Sequence, residues 1–291
     1  MHTNILSILS KGAGNRLTCN NIWFLSKNFR RYSNQPKNPN LLSIEDKKNF
    51  YLADSLLNPP DSKSYIKYSQ KFIESEFNNS KNNILLYPDF ITDSEHEAIV
   101  KGCEKKLRRY CRDGYAVNHF DSRITNYREF SCSSWLPIEK SIHFKNSHPE
   151  KLVNYDEVTL TIDKNEEKEI NILNKVWSLF PNNWAWIPPH VLDLHEEGSI
   201  RAHVDNPEYS GLYVGGLCLL GKAISTFRNV NDPEIKVDLL LPPKSLYFFS
   251  HRIRYEFTHE ITSLPEQRVW DEKQIPKQRR ISIMFRDVYE K

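Results

Sequence analysis

The stretch from Trp184 to Arg286 limits the fold more than any other part of this chain. It divides into short runs rich in Val, Ile, Leu, Tyr and Phe, at 190–195, 200–205, 212–220, 223–229, 235–241, 245–250, 253–259 and 279–286. Glu197-Gly198-Ser199, Asn206-Pro207, Asp232-Pro233 and Pro242-Pro243 separate them as turn signals. Apolar runs of that length between such residues read as β-strands, and many of them at short intervals close into a sandwich or barrel. The stretch 264–278, rich in Pro, Gln and charge, reads as a long loop before the last strand.

Ahead of this region the pattern is mixed. Ile84-Leu85-Leu86-Tyr87 reads as a short strand. A helix is expected from about Ser94 to Tyr110, with Ile99, Cys103 and Leu107 as its apolar stripe and Ser94-x-x-Glu97 as a capping box. A second helix over 166–180 carries Ile170, Leu173, Val176, Trp177 and Phe180 on one face and stops at Pro181. Residues 115–160 are harder to read, and His119-Phe120-Asp121 within them has no apolar strand run on either side. In the polar segment 33–82, Tyr65, Tyr68, Phe72 and Ile73 have helical spacing, so it reads as a linker with a peripheral helix. The folded domain is expected over 83–291.

Charge is unevenly placed. Residues 1–32 hold Lys11, Arg16, Lys27, Arg30 and Arg31 and no acid. Taking those five charges from a formal net charge of +3 leaves −2 for the remainder. A near-neutral body lacks the broad positive field of a dedicated nucleic-acid binder. The basic, Ser- and Asn-rich leader has the composition of a mitochondrial transit peptide, with Arg30-Arg31-Tyr32-Ser33 resembling a matrix-processing site. A mitochondrial matrix location follows. The five cysteines (19, 103, 111, 132 and 218) form no C-x-x-C pair, which points to reduced thiols. No run approaches the roughly 20 apolar residues that a membrane helix needs.

The chemistry centres on Arg201-Ala202-His203-Val204-Asp205. Residues two apart on a strand point to one face, so His203 and Asp205 can be aimed at one ion. His259, in the alternating run Tyr255-x-Phe257-x-His259, supplies a third ligand. Two imidazoles and one carboxylate leave open positions on the metal, as in non-haem Fe(II) oxygenases. The dipeptide pattern alone is common. His119-Phe120-Asp121, His148-Pro149-Glu150 and His195-Glu196-Glu197 share it; the first has no apolar strand run on either side and no obvious third ligand, and the second lies in a Pro-containing loop. What distinguishes His203 is its company. Gly215-Gly216 marks close backbone approach inside a following strand. In the final strand Arg280, Ser282, Met284 and Arg286 share one face. Two arginines on a core-facing strand are costly unless an anion pairs with them, and arginine holds a carboxylate through two parallel hydrogen bonds.

His203-x-Asp205, His259 and Arg280-x5-Arg286 resemble the AlkB branch of the Fe(II)/2-oxoglutarate-dependent dioxygenases. HVLDL, GSIRAHVDN, SLYFFSHRIRYEFTHEI and RRISIMFRD resemble, within it, the mitochondrial subfamily known as AlkB homologue seven. The resemblance spans about residues 84–288. It implies a mainly β fold with flanking helices around a double-stranded β-helix, a jelly-roll, cupin-like core. By the same resemblance His203, Asp205 and His259 hold Fe(II), and Arg280 pairs with the distal carboxylate of 2-oxoglutarate, assisted by the Tyr247 hydroxyl. Ser282 and Arg286 complete the co-substrate face. Asp193, Leu194 and His195 fall in a region of loose match and receive no role. O2 is the second co-substrate, with succinate and CO2 as products.

The expected function is an oxidoreductase that hydroxylates or demethylates a protein or an N-methylated mitochondrial RNA. The subfamily resemblance extends this to fatty-acid metabolism and regulated necrosis. A monomer without a membrane span is the expected state. A different class of reading is a non-enzymatic interaction or sensor module that keeps the metal and 2-oxoglutarate site. A third is a cupin-like binder of another metal, since the ligand types also admit Mn, Co or Ni.

Overall fold

The computed structural model describes residues 44–50, 52, 64–119, 121–136, 166–207 and 210–288. The leader 1–32 and the pair His148 and Glu150 lie outside them. In chain order the helices are α1 (Ile44–Asn49), α2 (Gln70–Glu74), α3 (Asp93–Tyr110), α4 (Glu167–Trp177) and α5 (His251–Glu256). The early strands are β1 (Ile66–Tyr68), β2 (Ile84–Tyr87), β3 (Ala116–Asn118) and β4 (Ile124–Ser131). Seven more form the body: β5 (His190–His203), β6 (Tyr213–Leu220), β7 (Ala223–Asn229), β8 (Lys236–Leu241), β9 (Leu246–Ser250), β10 (Phe257–Ile261) and, last, β13 (Arg280–Arg286). A small hairpin, β11 (Val269–Trp270) and β12 (Lys273–Gln274), precedes the last strand.

β5 is the seam of the fold. Its first half, His190 to Leu194, pairs with β13, whereas Ile200 and His203 pair with Ile261 and His259 of β10. Hydrogen bonding continues from β13 through β6 to β9 and β2, and from β10 through β7 to β8 and β1. All these pairings are antiparallel. Two sheets, with four strands on either side of the shared β5, thus fold over each other as a double-stranded β-helix. Because directly opposed residues lie on one face, the register assigns the faces. Ile281, Ile283 and Phe285 turn outward onto α3 and α4, joining Ile99, Leu107, Leu173 and Trp177 in the larger core. Met284 turns inward with Val214, Phe227, Tyr247, Phe249 and Phe257 in a second core between the sheets.

Local sequence explains most elements, and tertiary contacts overrule it in five places. The runs expected at 190–195 and 200–205 are one 14-residue strand. Gly198 makes no turn there; a Cβ on it would stand 2.7 Å from the Thr125 carbonyl, so glycine admits the neighbouring β4 backbone. The strand expected at 253–259 begins as α5, where an Arg252–Glu256 pair at 2.8 Å spans one turn. The hard-to-read stretch 115–160 contains β3 and β4, the latter broken by Asn126 at φ 46° and a shifted register after Thr125. Tyr65 and Tyr68 are not on a helix with Phe72. β1 pairs with β8, and only then does Ser69 accept a hydrogen bond from the Phe72 amide to start α2. Finally, α3 is capped by Thr92 and Glu95, two residues earlier than Ser94 and Glu97.

Candidate metal and co-substrate site

His203 ends β5 directly opposite His259 of β10, and the ring centroids are 4.3 Å apart. Asp205 lies beyond the strand end, so spacing along a strand does not aim its carboxylate. Arg254 of α5 holds that loop: its Nη1 donates to the Asp205 carbonyl at 3.0 Å and its Nη2 to Ser210 Oγ at 2.7 Å. One ligand atom each from His203, Asp205 and His259 lies within 4.8 Å of the others, and no other such trio occurs among the described residues.

The protonation states suit a divalent ion. Nδ1 of His203 sits 2.8 Å from the Arg201 carbonyl, which can only accept, so the proton is on Nδ1 and the Nε2 lone pair is free. Burial against Phe227 and Phe249 pushes His259 down to about 3, keeping that imidazole neutral. Burial pushes the Asp205 carboxyl up. The charge of Arg286 leads the opposing pulls and holds the carboxyl well below its usual range. Asp205 Oδ2 is buried without a hydrogen-bond partner, and the nearest cation, Arg286 Nε, is 3.6 Å away. Two imidazoles and one ionised carboxylate with an unused oxygen fit a divalent cation.

The co-substrate candidates share the inward face. Arg280 is 3% exposed; its Nη1 donates to Ser282 Oγ at 2.8 Å and its Nη2 to Cys218 Sγ at 3.4 Å, while Nε has no partner. No carboxylate forms an ion pair with it among the described residues. Tyr247 lies over Gly216, where a Cβ would be 2.7 Å from the ring, and its hydroxyl points to Met284 Sδ at 3.9 Å. Burial pushes that phenol up to about 12 against the pull of Arg280, so it stays a neutral donor.

The remaining His-x-acid pairs do different work. His119 Nδ1 bonds Asp121 at 2.8 Å in the turn between β3 and β4, and His195 packs edge-on against Tyr115. Asp193 turns outward, opposite Ile281, and accepts from Arg128, Arg279 and Tyr115. Sequence reasoning missed Arg254, read as a strand residue, and Glu129. Glu129 lies opposite Leu192 on the inward face and is 2.8 Å from His190 Nε2 and 3.8 Å from His119 Nε2. Burial raises its carboxyl, but His190, His119 and Arg286 hold it below the usual range. The irregular backbone at Asn126 hid the alternation that would have put Tyr127 and Glu129 on one face.

Comparison with known proteins extends the AlkB resemblance over most of the chain. It is 28% identical over 212 residues to the mouse protein named alpha-ketoglutarate-dependent dioxygenase alkB homolog 7, mitochondrial, covering 72% of this chain and 80% of that one. The Bos taurus protein of the same name is 29% identical over 205 residues, with 70% and 77% coverage. Among solved structures, a Trichoplax adhaerens prolyl hydroxylase in complex with a hypoxia inducible factor peptide aligns with a TM-score of 0.43 and 13% identity, over 72% of this chain and 85% of its own. No family model matches the chain.

Proposed function

We propose that this chain is an Fe(II)- and 2-oxoglutarate-dependent dioxygenase of the mitochondrial matrix, oxidising a protein side chain or an N-methylated mitochondrial RNA. The observation that carries it is Arg280, a buried guanidinium with neutral partners only, in the same concave wall as the His203, Asp205 and His259 trio. Bound iron and 2-oxoglutarate supply the oxidising power, with O2 consumed and the keto acid released as succinate and CO2.

The chain's own residues bind, orient and exclude water. His203, Asp205 and His259 take the metal through two nitrogens and one oxygen. Arg280 receives the distal carboxylate, with Ser282 fixing its fork and Tyr247 adding a neutral O–H donor. Arg286 keeps Asp205 ionised, and Arg254 anchors the backbone that carries it. The matrix location draws on the acid-free basic leader and on the mitochondrial designation of the mouse and bovine relatives. No helix among the described residues is long and apolar enough to cross a membrane. Any part in fatty-acid metabolism or regulated necrosis would act through the same oxidation.

The test is the visible charge-transfer band of the full chain given Fe(II) and 2-oxoglutarate without oxygen. We expect the band in wild type, its loss in His203→Ala and its weakening in Arg280→Ala. Folded, iron-loaded protein with no band would overturn the proposal and leave a non-enzymatic interaction module. Succinate release on adding methylated RNA or a mitochondrial protein extract then separates the two substrate classes.

A further inference from the structure

The strands of the barrel have two ends. His203 and Arg286 mark the metal end of β5 and β13; Leu194, Gly198 and Arg280 lie toward the other. At that other end an open cleft lies between β5, the β6–β7 turn, the end of β10 and the segment after β12. Four cations line it, Lys222, Arg268, Lys277 and Arg280, and no carboxylate does.

Arg268 is the unusual member. Its backbone is fixed on both sides, the amide to the Pro265 carbonyl at 3.0 Å and the carbonyl to the Ile275 amide at 2.7 Å. Next to it, Trp270 is buried with Ile224, Leu240 and Ile275, so the hairpin is anchored to the barrel. The guanidinium is therefore placed, not trailing in solvent. Yet its Nε and Nη1 are buried with no hydrogen-bond partner, as is Nε of Arg280. Burying a donor unpaired is costly, and more so for a charged group, so such atoms call for an absent partner. Burial, and then the Arg268 charge, push the Lys277 ammonium down, against a weaker upward pull from the exposed Glu197. A cavity with concentrated like charge and unused donors attracts the opposite charge.

We infer that this cavity is a second anion site, separate from the metal centre, that takes a small ligand carrying a phosphate or carboxylate group. Arg268 offers the two-pronged donor set that such oxygens match. Lys277 and Lys222 add point charges, and Arg280 forms the wall shared with the co-substrate site.

The experiment uses the full chain loaded with Fe(II) and saturated with 2-oxoglutarate without oxygen, so that the co-substrate site is filled. Inorganic phosphate and succinate are titrated in separate calorimetric arms, and the charge-transfer band is followed alongside. One arm is expected to show saturable binding that Arg268→Gln weakens by about tenfold or more, equivalent to about 1.4 kcal/mol. Lys277→Gln, which removes a point charge and leaves the guanidinium fork in place, should weaken the same arm less and guards against misfolding of the first variant. The band should persist in both variants. Binding in the phosphate arm identifies a phosphate-bearing ligand; binding in the succinate arm alone, a carboxylate. Binding that neither variant alters, or none at millimolar anion, overturns the inference. So does loss of the band in Arg268→Gln, which would merge the cavity with the co-substrate site. Absence of the band in wild type counts against the dioxygenase proposal instead, and the anion arms are then read on the protein as purified.

Discussion

The two faces of β13 are both hidden from water, yet they are built from different chemistry. Ile281, Ile283 and Phe285 are fully buried against α3 and α4, and Phe285 meets Trp177 edge-on at 5.2 Å. Arg280 and Ser282, on the opposite face, are 3% and 0% exposed. In a sheet with one wet face, alternation of apolar and polar residues marks core and solvent. Here the polar face is also buried at Arg280 and Ser282, so the Arg280 guanidinium meets neither water nor a carboxylate among the described residues, while Arg286 at the strand end faces Asp205 at 3.6 Å. The outward face supplies stability through burial and ring contacts. The inward face gives up some of it to keep donors ready for a ligand.

Phe285→Ala should have the largest effect and should act on stability alone. We expect a loss of about 3–5 kcal/mol in denaturant unfolding, because deletion leaves a cavity in the larger core. The 2-oxoglutarate affinity of the folded fraction should not change; a tenfold change would mean the faces are not independent. Arg280→Met should do the reverse. Co-substrate affinity should fall about 100-fold, near 2.7 kcal/mol, while the unfolding midpoint holds or rises, since an unpaired buried charge has been replaced by an apolar chain of similar length. A midpoint loss above about 2 kcal/mol would show that Arg280 also serves as structure.

Asp287 sharpens the comparison, because it is an acid on the outward face. Burial pushes its carboxyl up to about 6 against the opposing pull of Lys47. The unfolded chain therefore loses this proton first as pH rises. The contribution of Asp287 to stability is present below about pH 4 and is lost as pH climbs through 6, by about 1–3 kcal/mol. Inward Glu129 has the opposite sign: its carboxyl is held low, so its contribution is present at neutral pH and lost on acidification. Asp287→Asn should flatten the fall between pH 4 and 6, and Glu129→Gln should leave that fall in place; thermal midpoints across this range measure both. The smallest effect is expected from Arg254→Lys. It keeps the charge but loses the fork that grips Asp205 and Ser210, so iron should bind about tenfold more weakly with little change in overall stability. An unchanged iron affinity would remove Arg254 from the positioning of Asp205.

Sequence by itself determined the strand-rich body, the helices at 93–110 and 167–177, and the residue types of the site. Apolar runs between turn residues, and apolar stripes at helical spacing, are local signals that survive without tertiary context. The motifs and the family resemblance also singled out His203, Asp205, His259, Tyr247, Ser282 and both arginines as candidates. Only the tertiary structure decided how they meet. The pairing of His259 with His203 depends on β5 leaving β13 for β10, a choice made by sheet closure between segments more than 50 residues apart. Asp205 is aimed by Arg254, whose helix the local alternation disguised as strand. β4 and Glu129 were hidden because a bulge at Asn126 breaks the period of two, and the anion cavity because its cations come from separated turns. Periodicity reports which way a side chain faces along one element; it carries no information about what stands opposite.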